Sequence, residues 1–111
     1  MSRHTKYPEL NLGLLPASTV NAALGTEMVT ALVRLSRQAH RHIAEDHPND
    51  YAVCIAALPA AIATPSFIGQ GPGHTRNFEL VRRMTRADGR AILVAISLDL
   101  DTGGAYRVVS C

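Results

Sequence analysis

The stretch Ala91-Ile92-Leu93-Val94-Ala95-Ile96-Ser97-Leu98 has one polar residue in eight, so both faces of the strand that it predicts are apolar. Such a strand suits a central position in a sheet that helices cover on at least one side. Asp88-Gly89 before it is a hairpin signal, so residues 76–84, which have the period-two pattern of a strand, are expected to run antiparallel to it. A glycine-rich turn at residues 101–104 and a last strand at residues 105–111 follow. One face of that last strand is predicted to carry Tyr106, Val108 and Ser110.

The longest helix is predicted between Thr26 and His47. Thr26 is a suitable N-cap, and apolar or small side chains recur after it at helical spacing. Pro48 disfavours helical geometry at the residue before it, which places the end of the helix near His47. The residues predicted on its apolar side are Val29, Leu32, Val33, Ser36, Ala39, His40 and Ile43.

Shorter elements precede and follow this helix in the sequence. Residues 10–15 and 67–69 predict strands, and a brief helix is expected from Ser18 or Thr19 to Leu24, closed by Gly25. Residues 50–63 predict a largely buried helix. Helices followed by an antiparallel meander define an α+β domain.

Composition describes one ordinary folded domain. The chain has 111 residues, of which 47% are hydrophobic and 18% are charged, and this balance excludes a disordered chain. We expect residues 1–9 to form a flexible tail and residues 10–111 a single domain, cut short at its C-terminus because the strand pattern runs to the last residue. Two cysteines without a CxxC pair and no long apolar run predict a cytoplasmic protein with no membrane partner.

Three histidines near the end of the predicted long helix are the first candidates for proton transfer, because imidazole titrates near neutral pH. His40 falls on the apolar stripe and is expected to pack, whereas His42 lies off its edge and His47 sits at the frayed end. Asp46, four residues after His42, can fix its tautomer. Two plainer interpretations stay open: a surface pair at this spacing, and histidines that complement the helix dipole.

The same residues do not suit a metal. The HxH spacing of His40 and His42 places the two rings about 200° apart on a helix, which prevents shared coordination. We therefore expect no metal and no cofactor. Five arginines within residues 76–90 favour a phosphate-bearing partner, although a solvated strand face explains them equally well. Arg76 and His74 could reach a phosphate, and a plain loop is the simpler interpretation there.

A succession of short motifs runs through most of the chain. They are Leu35-Ser36, Gln38, His42-Ile43, His47-Pro48, Asp50-Tyr51, the Pro-Ser-Phe-Ile-Gly run at residues 65–69 and Val108-Val109-Ser110. Over residues 10–111 this succession resembles the phage-associated barnase/EndoU/colicin/RelE-like nuclease domains. The resemblance implies N-terminal helices packed on a four-stranded antiparallel sheet that holds RNA, and cleavage without a metal.

The resemblance also implies roles for particular residues. His42 and His47 match the helix histidines and Ser110 matches the hydroxyl residue of the last strands, so these three are the candidate catalytic residues. Asp46 is expected to support His42. Arg76 is matched to the family as a phosphate-binding residue, and His74 and Arg41 are further candidates for binding substrate phosphate that the resemblance does not assign.

The leading hypothesis is a toxin-like, metal-independent endoribonuclease that cleaves RNA by attack of the 2′-hydroxyl, with histidines as acid and base. Its expected partners are RNA and a neutralising immunity or antitoxin protein. Two alternatives remain: an inactive module of the same fold that binds RNA or protein, and a structural phage component.

Overall fold

The computed structural model describes residues 6–71, 76–83 and 91–111 and shows an α+β architecture. Within these ranges, three helices and six strands follow one another along the chain. The helices are α1 (Ala17–Leu24), α2 (Arg37–Asp46) and α3 (Tyr51–Ala63). The strands are β1 (Leu10–Leu14), β2 (Leu32–Leu35), β3 (Phe67–Gly69), β4 (Asn77–Arg83), β5 (Ala91–Ser97) and β6 (Tyr106–Ser110).

The described strands form one mixed sheet in the order β1-β2-β6-β5-β4-β3. The pairing of β4 with β5 is antiparallel, as predicted, and runs from Asn77 opposite Ser97 to Arg83 opposite Ala91. The predicted Asp88-Gly89 turn lies outside the described residues. The expectation of a four-stranded antiparallel sheet was wrong, because β1 and β2 extend the sheet and β2 pairs with β6 in parallel.

The prediction of one long helix between Thr26 and His47 was also wrong. Residues 32–35 form β2 instead, with Val33 and Leu35 fully buried and their neighbours half-buried. Leucine and valine at these positions satisfy a helical and an alternating pattern equally, and pairing with β1 and β6 decides between them. The helix begins later, where the Ser36 side chain accepts a hydrogen bond from the Ala39 backbone N–H (3.1 Å).

The other predicted elements are confirmed with small shifts. α1 ends at Gly25 in the left-handed conformation (φ 69°), which glycine adopts without steric cost, although its N-cap is Pro16 rather than Ser18 or Thr19. α3 is the most apolar helix and packs on β1, β4 and β5. Its buried residues Leu58 and Ile62 join Phe78, Leu80 and Val94 of the sheet in a single core.

His40 packs as predicted and fastens the N-terminal segment to the helices. The residue is 3% exposed, Nδ1 donates to the Pro8 carbonyl (2.8 Å), and Nε2 accepts from the Tyr51 hydroxyl (2.7 Å). The Tyr7 ring lies 5.4 Å from the His40 ring, centroid to centroid. Tyr7 and Pro8 are therefore tied to α2 and α3, while residues 1–5 of the predicted tail lie outside the described part.

Candidate functional site along the seam between α2 and β6

His42 lies on the exposed side of α2, directly beside the last strand. Its side chain is 61% exposed, and its Nδ1 lies 3.1 Å from Oδ2 of Asp46, one helical turn later. When Nδ1–H donates to this carboxylate, Nε2 is the ring nitrogen that can accept a proton. Asp46 therefore lies within hydrogen-bond reach of His42, as the helical spacing predicts.

His42 opens onto a groove of about 430 Å³ between α2 and β6, which we call the His42 groove. Gln38 lines it from the same helix, Arg107 from β6 and Asn77 from the start of β4. The apolar part of its wall comes from Ala39, Val108 and Val109. One imidazole, one guanidinium and two amides therefore share one concave surface, a donor set that suits a phosphodiester.

Sequence reasoning missed Arg107 and Asn77. The sequence does indicate that Arg107 faces away from the core, because Arg107 alternates along the strand with the buried residues Tyr106 and Val108. Its position beside α2 depends on the parallel register of β2 and β6, in which Arg34 lies opposite Arg107. Two strands so far apart in sequence give no local sign of that pairing.

The turn before β6 contains Asp101, a carboxylate that the charges of Arg34 and Arg107 influence. Its Oδ1 accepts from the backbone N–H groups of Ala105 (3.0 Å) and Gly103 (2.8 Å). The Ala105 hydrogen bond, followed by that of Gly103 and the charges of Arg34 and Arg107, lowers the pKa of Asp101 despite an opposing desolvation effect. Asp101 therefore remains a carboxylate at neutral pH and fixes the turn that leads to Arg107.

His47 and Ser110 line a second hollow, of about 250 Å³, which we call the His47 hollow. His47 is the C-cap of α2, and its carbonyl accepts from the Asp50 backbone N–H (3.1 Å). The sheet register shifts between Ala95, which lies opposite Ser110, and Ile96, which lies opposite Val108. An irregularity of this kind changes the direction in which the side chains that follow it point.

The register shift explains why Ser110 leaves the face on which it was predicted. Tyr106 and Val108 are buried, whereas Ser110 is exposed, so the expectation that all three share one face was wrong. Ser110 therefore does not pack in the core. Ser110 reaches the hollow that His47 also lines.

The two cysteines meet at the His47 hollow, although they lie far apart in sequence. Cys54 is buried in α3, as predicted, and Cys111 is half-buried at the end of β6. Burial, reinforced by a hydrogen bond between the two thiols, raises the pKa of Cys111 far above its usual value. Both line the hollow, and the raised pKa favours the neutral thiol of Cys111, which is a weaker nucleophile than the thiolate.

The remaining candidates lie elsewhere. Arg41 pairs with Glu45 (Nε to Oε2, 3.1 Å) and lines a third concave surface, of about 640 Å³, on another side of α2. Arg76 is exposed before β4 and lines none of these three surfaces; its carbonyl accepts from the Leu98 backbone N–H (2.8 Å). His74 lies outside the described residues.

The structure therefore separates the predicted site into two neighbouring parts. His42 and Arg107 line the His42 groove, whereas His47 and Ser110 line the His47 hollow, and α2 and β6 contribute to both parts. Within residues 6–71, 76–83 and 91–111, no group of three or more His, Cys, Asp or Glu side chains is arranged to hold a metal ion.

Comparisons with protein-family models, with curated protein sequences and with solved structures found no match for this chain. None of the helices in the described ranges has both the length and the apolar character that crossing a membrane demands.

Proposed function

We propose that this domain is a metal-independent endoribonuclease whose site follows the seam between α2 and β6. The observation that supports this most is the His42 groove, in which a carboxylate-supported imidazole and a guanidinium meet on one concave surface. An imidazole with one nitrogen held by a carboxylate is suited to accept a proton, and an arginine is suited to bind a phosphate.

The reaction needs only these kinds of groups. The 2′-hydroxyl oxygen attacks the adjacent phosphorus while His42 Nε2 takes its proton. The bond from phosphorus to the 5′-oxygen breaks, and His47 supplies the proton that this oxygen requires. The products are a 2′,3′-cyclic phosphate and a free 5′-hydroxyl, with no net change in protons. Arg107 offsets the charge that develops on the phosphate oxygens.

Ser110 has a supporting part in this proposal. Ser110 is exposed and lines the His47 hollow, which supports a role in which its hydroxyl hydrogen-bonds either the phosphate or the histidine ring. Arg76, which the sequence hypothesis assigned to phosphate binding, is replaced in this role by Arg107.

The test is incubation of the full chain with mixed RNA in excess chelator, followed by analysis of the product ends. We expect cyclic phosphate ends, and no cut where the nucleotide before the scissile bond lacks its 2′-hydroxyl. His42→Ala and His47→Ala are each expected to slow cleavage by about 10²–10⁴-fold, the usual contribution of one acid or base. Undiminished cleavage by both variants would refute the assignment.

A second candidate is an RNA-binding module that does not cleave. It is favoured by the positions of the two histidines, which line separate concave surfaces and act on one phosphate only if both rings reach it. Intact RNA that is bound with a steep dependence on salt would identify this function.

A further inference from the structure

Of the three concave surfaces described above, the one with the greatest volume is basic and has no part in the proton transfers proposed above. It is lined by Lys6, Tyr7, Arg37, Gln38, Arg41 and Glu45, and we call it the Arg41 hollow. Three cationic side chains face one carboxylate, and that carboxylate is already paired with Arg41 at 3.1 Å. The hollow therefore has an excess of positive charge available to an anion.

Helical geometry makes the two arginines act together. Arg37 and Arg41 are four residues apart on α2, so their side chains lie one above the other on one face. Glu45 continues the same row and holds Arg41 in place. Two guanidinium groups in a row suit successive phosphates of one strand better than they suit a single compact anion.

An aromatic ring lies beside this row and is held in a fixed position. The Tyr7 ring contacts the buried His40 ring (5.4 Å between centroids) and the Tyr51 ring (6.1 Å). Lys6 Nζ lies 5.4 Å from the Tyr7 ring centroid. Cations that alternate with an aromatic ring are the usual means by which proteins hold single-stranded nucleic acid.

Gln38 connects this surface to the proposed reaction site. It lines the Arg41 hollow and the His42 groove, because its row on α2 is about 100° around the helix from the row of Arg37. A strand that crosses α2 at Gln38 therefore contacts both surfaces.

We propose that the Arg41 hollow is a subsite for the single-stranded RNA that flanks the phosphate in the His42 groove, with Arg37 and Arg41 on its backbone. This inference rests on the proposed function for the identity of the strand. It predicts a preference for substrates longer than a dinucleotide, since only these occupy both surfaces.

The experiment measures binding of a single-stranded RNA oligonucleotide to the full chain by fluorescence anisotropy, in the His42→Ala background so that the RNA stays intact. The double variant R37A/R41A is expected to bind roughly tenfold more weakly or worse, as for removal of hydrogen bonds to a charged group. The slope of log affinity against log salt should fall by about 0.7 for each phosphate that the variant no longer neutralises. R37K/R41K, which keeps the charge without the forked donors, is expected to recover only part of the affinity.

Arg83→Ala is the control for removal of a positive charge, because Arg83 lies over the Phe67 ring at the other end of the sheet. Equal affinity and equal salt slopes for R37A/R41A and Arg83→Ala would overturn the inference. Binding of phosphatidylserine vesicles without binding of RNA would also overturn the inference. The same double variant, with His42 intact, should lower cleavage of the oligonucleotide and leave cleavage of a dinucleotide unchanged.

These readouts separate the two proposals. Weaker binding by R37A/R41A in a protein that cleaves no RNA supports the subsite and contradicts the nuclease. Normal cleavage of long and short substrates by R37A/R41A supports the nuclease and contradicts the subsite.

Discussion

Nδ1 of His42 lies 3.1 Å from Oδ2 of Asp46, and the two side chains are 61% and 53% exposed. An exposed pair of this kind stabilises a fold by less than about 1 kcal/mol, so stability is a weak reason for it. Under the proposed function the carboxylate has a second role, which is to select one tautomer of a histidine that lines the same groove as Arg107.

Asp46→Asn tests this directly. We expect the substitution to lower the rate of RNA cleavage by less than the roughly 10²–10⁴-fold expected for removal of the histidine itself, because the ring remains. The midpoint of urea unfolding should change little. Asp99→Asn is the control for loss of an exposed carboxylate, since Asp99 lines none of the three concave surfaces described above. Equal effects of the two substitutions on cleavage would show that Asp46 has no special role.

His40 is expected to matter for folding and not for chemistry. Both ring nitrogens are hydrogen-bonded inside the fold, so His40→Leu leaves the Tyr51 hydroxyl and the Pro8 carbonyl without their partner. A buried polar group without a partner costs about 1–3 kcal/mol. Urea unfolding of His40→Leu, Tyr51→Phe and the double variant measures the coupling. Additive decreases in stability would contradict the hydrogen bond between His40 and Tyr51.

Asp101 should make the fold sensitive to acid. Its pKa is lowered in the folded protein, mainly by the Ala105 hydrogen bond, so its contribution to stability is fully present above the ordinary value of 3.8 and is lost as the pH falls through the folded value. Asp101→Asn is expected to lower the urea midpoint at neutral pH and to reduce the loss of stability in acid. Asp99→Asn is the control, and a curve for Asp101→Asn that parallels the wild type at all pH values would contradict this role.

Cys111 should make the stability of the fold sensitive to alkaline pH. Burial raises its pKa in the folded protein, so the contribution of the neutral thiol is present below the ordinary value of 9.0 and is lost as the pH rises above it. We expect Cys111→Ala to flatten the alkaline decline in urea midpoint. The native thiol should also react with iodoacetamide more slowly than a free cysteine does. Rapid alkylation of Cys111 in the folded state would contradict the buried, hydrogen-bonded thiol.

The parts of the fold that could be predicted are those in which local pattern and tertiary environment agree. β4 alternates, β5 is apolar on both faces and follows a hairpin signal, and α3 is apolar throughout, so these three elements are evident from the sequence. β2 could not be predicted, because Leu32, Val33 and Leu35 fit a helix as well as a strand. Its assignment depends on pairing with Tyr106 and Arg107, which lie at the far end of the chain.

The candidate site also has a part that the sequence predicts and a part that it does not predict. His42 and Asp46 share a helix, so their approach follows from helical spacing alone. The place of Arg107 in the His42 groove and the exposure of Ser110 could not be predicted, because they depend on the parallel pairing of β2 with β6 and on the register shift in β6. Single-sequence patterns contain neither kind of information.

The most direct test of the central claim is the single-turnover rate of RNA cleavage in chelator, measured for wild type, His42→Ala and Arg107→Ala and corrected for the folded fraction by circular dichroism. The proposed site predicts that His42→Ala lowers this rate by about 10²–10⁴-fold. Arg107→Ala should also lower it strongly, and Asp99→Asn should leave it at the wild-type value. Folded His42→Ala and Arg107→Ala proteins that cleave RNA as fast as wild type would contradict it.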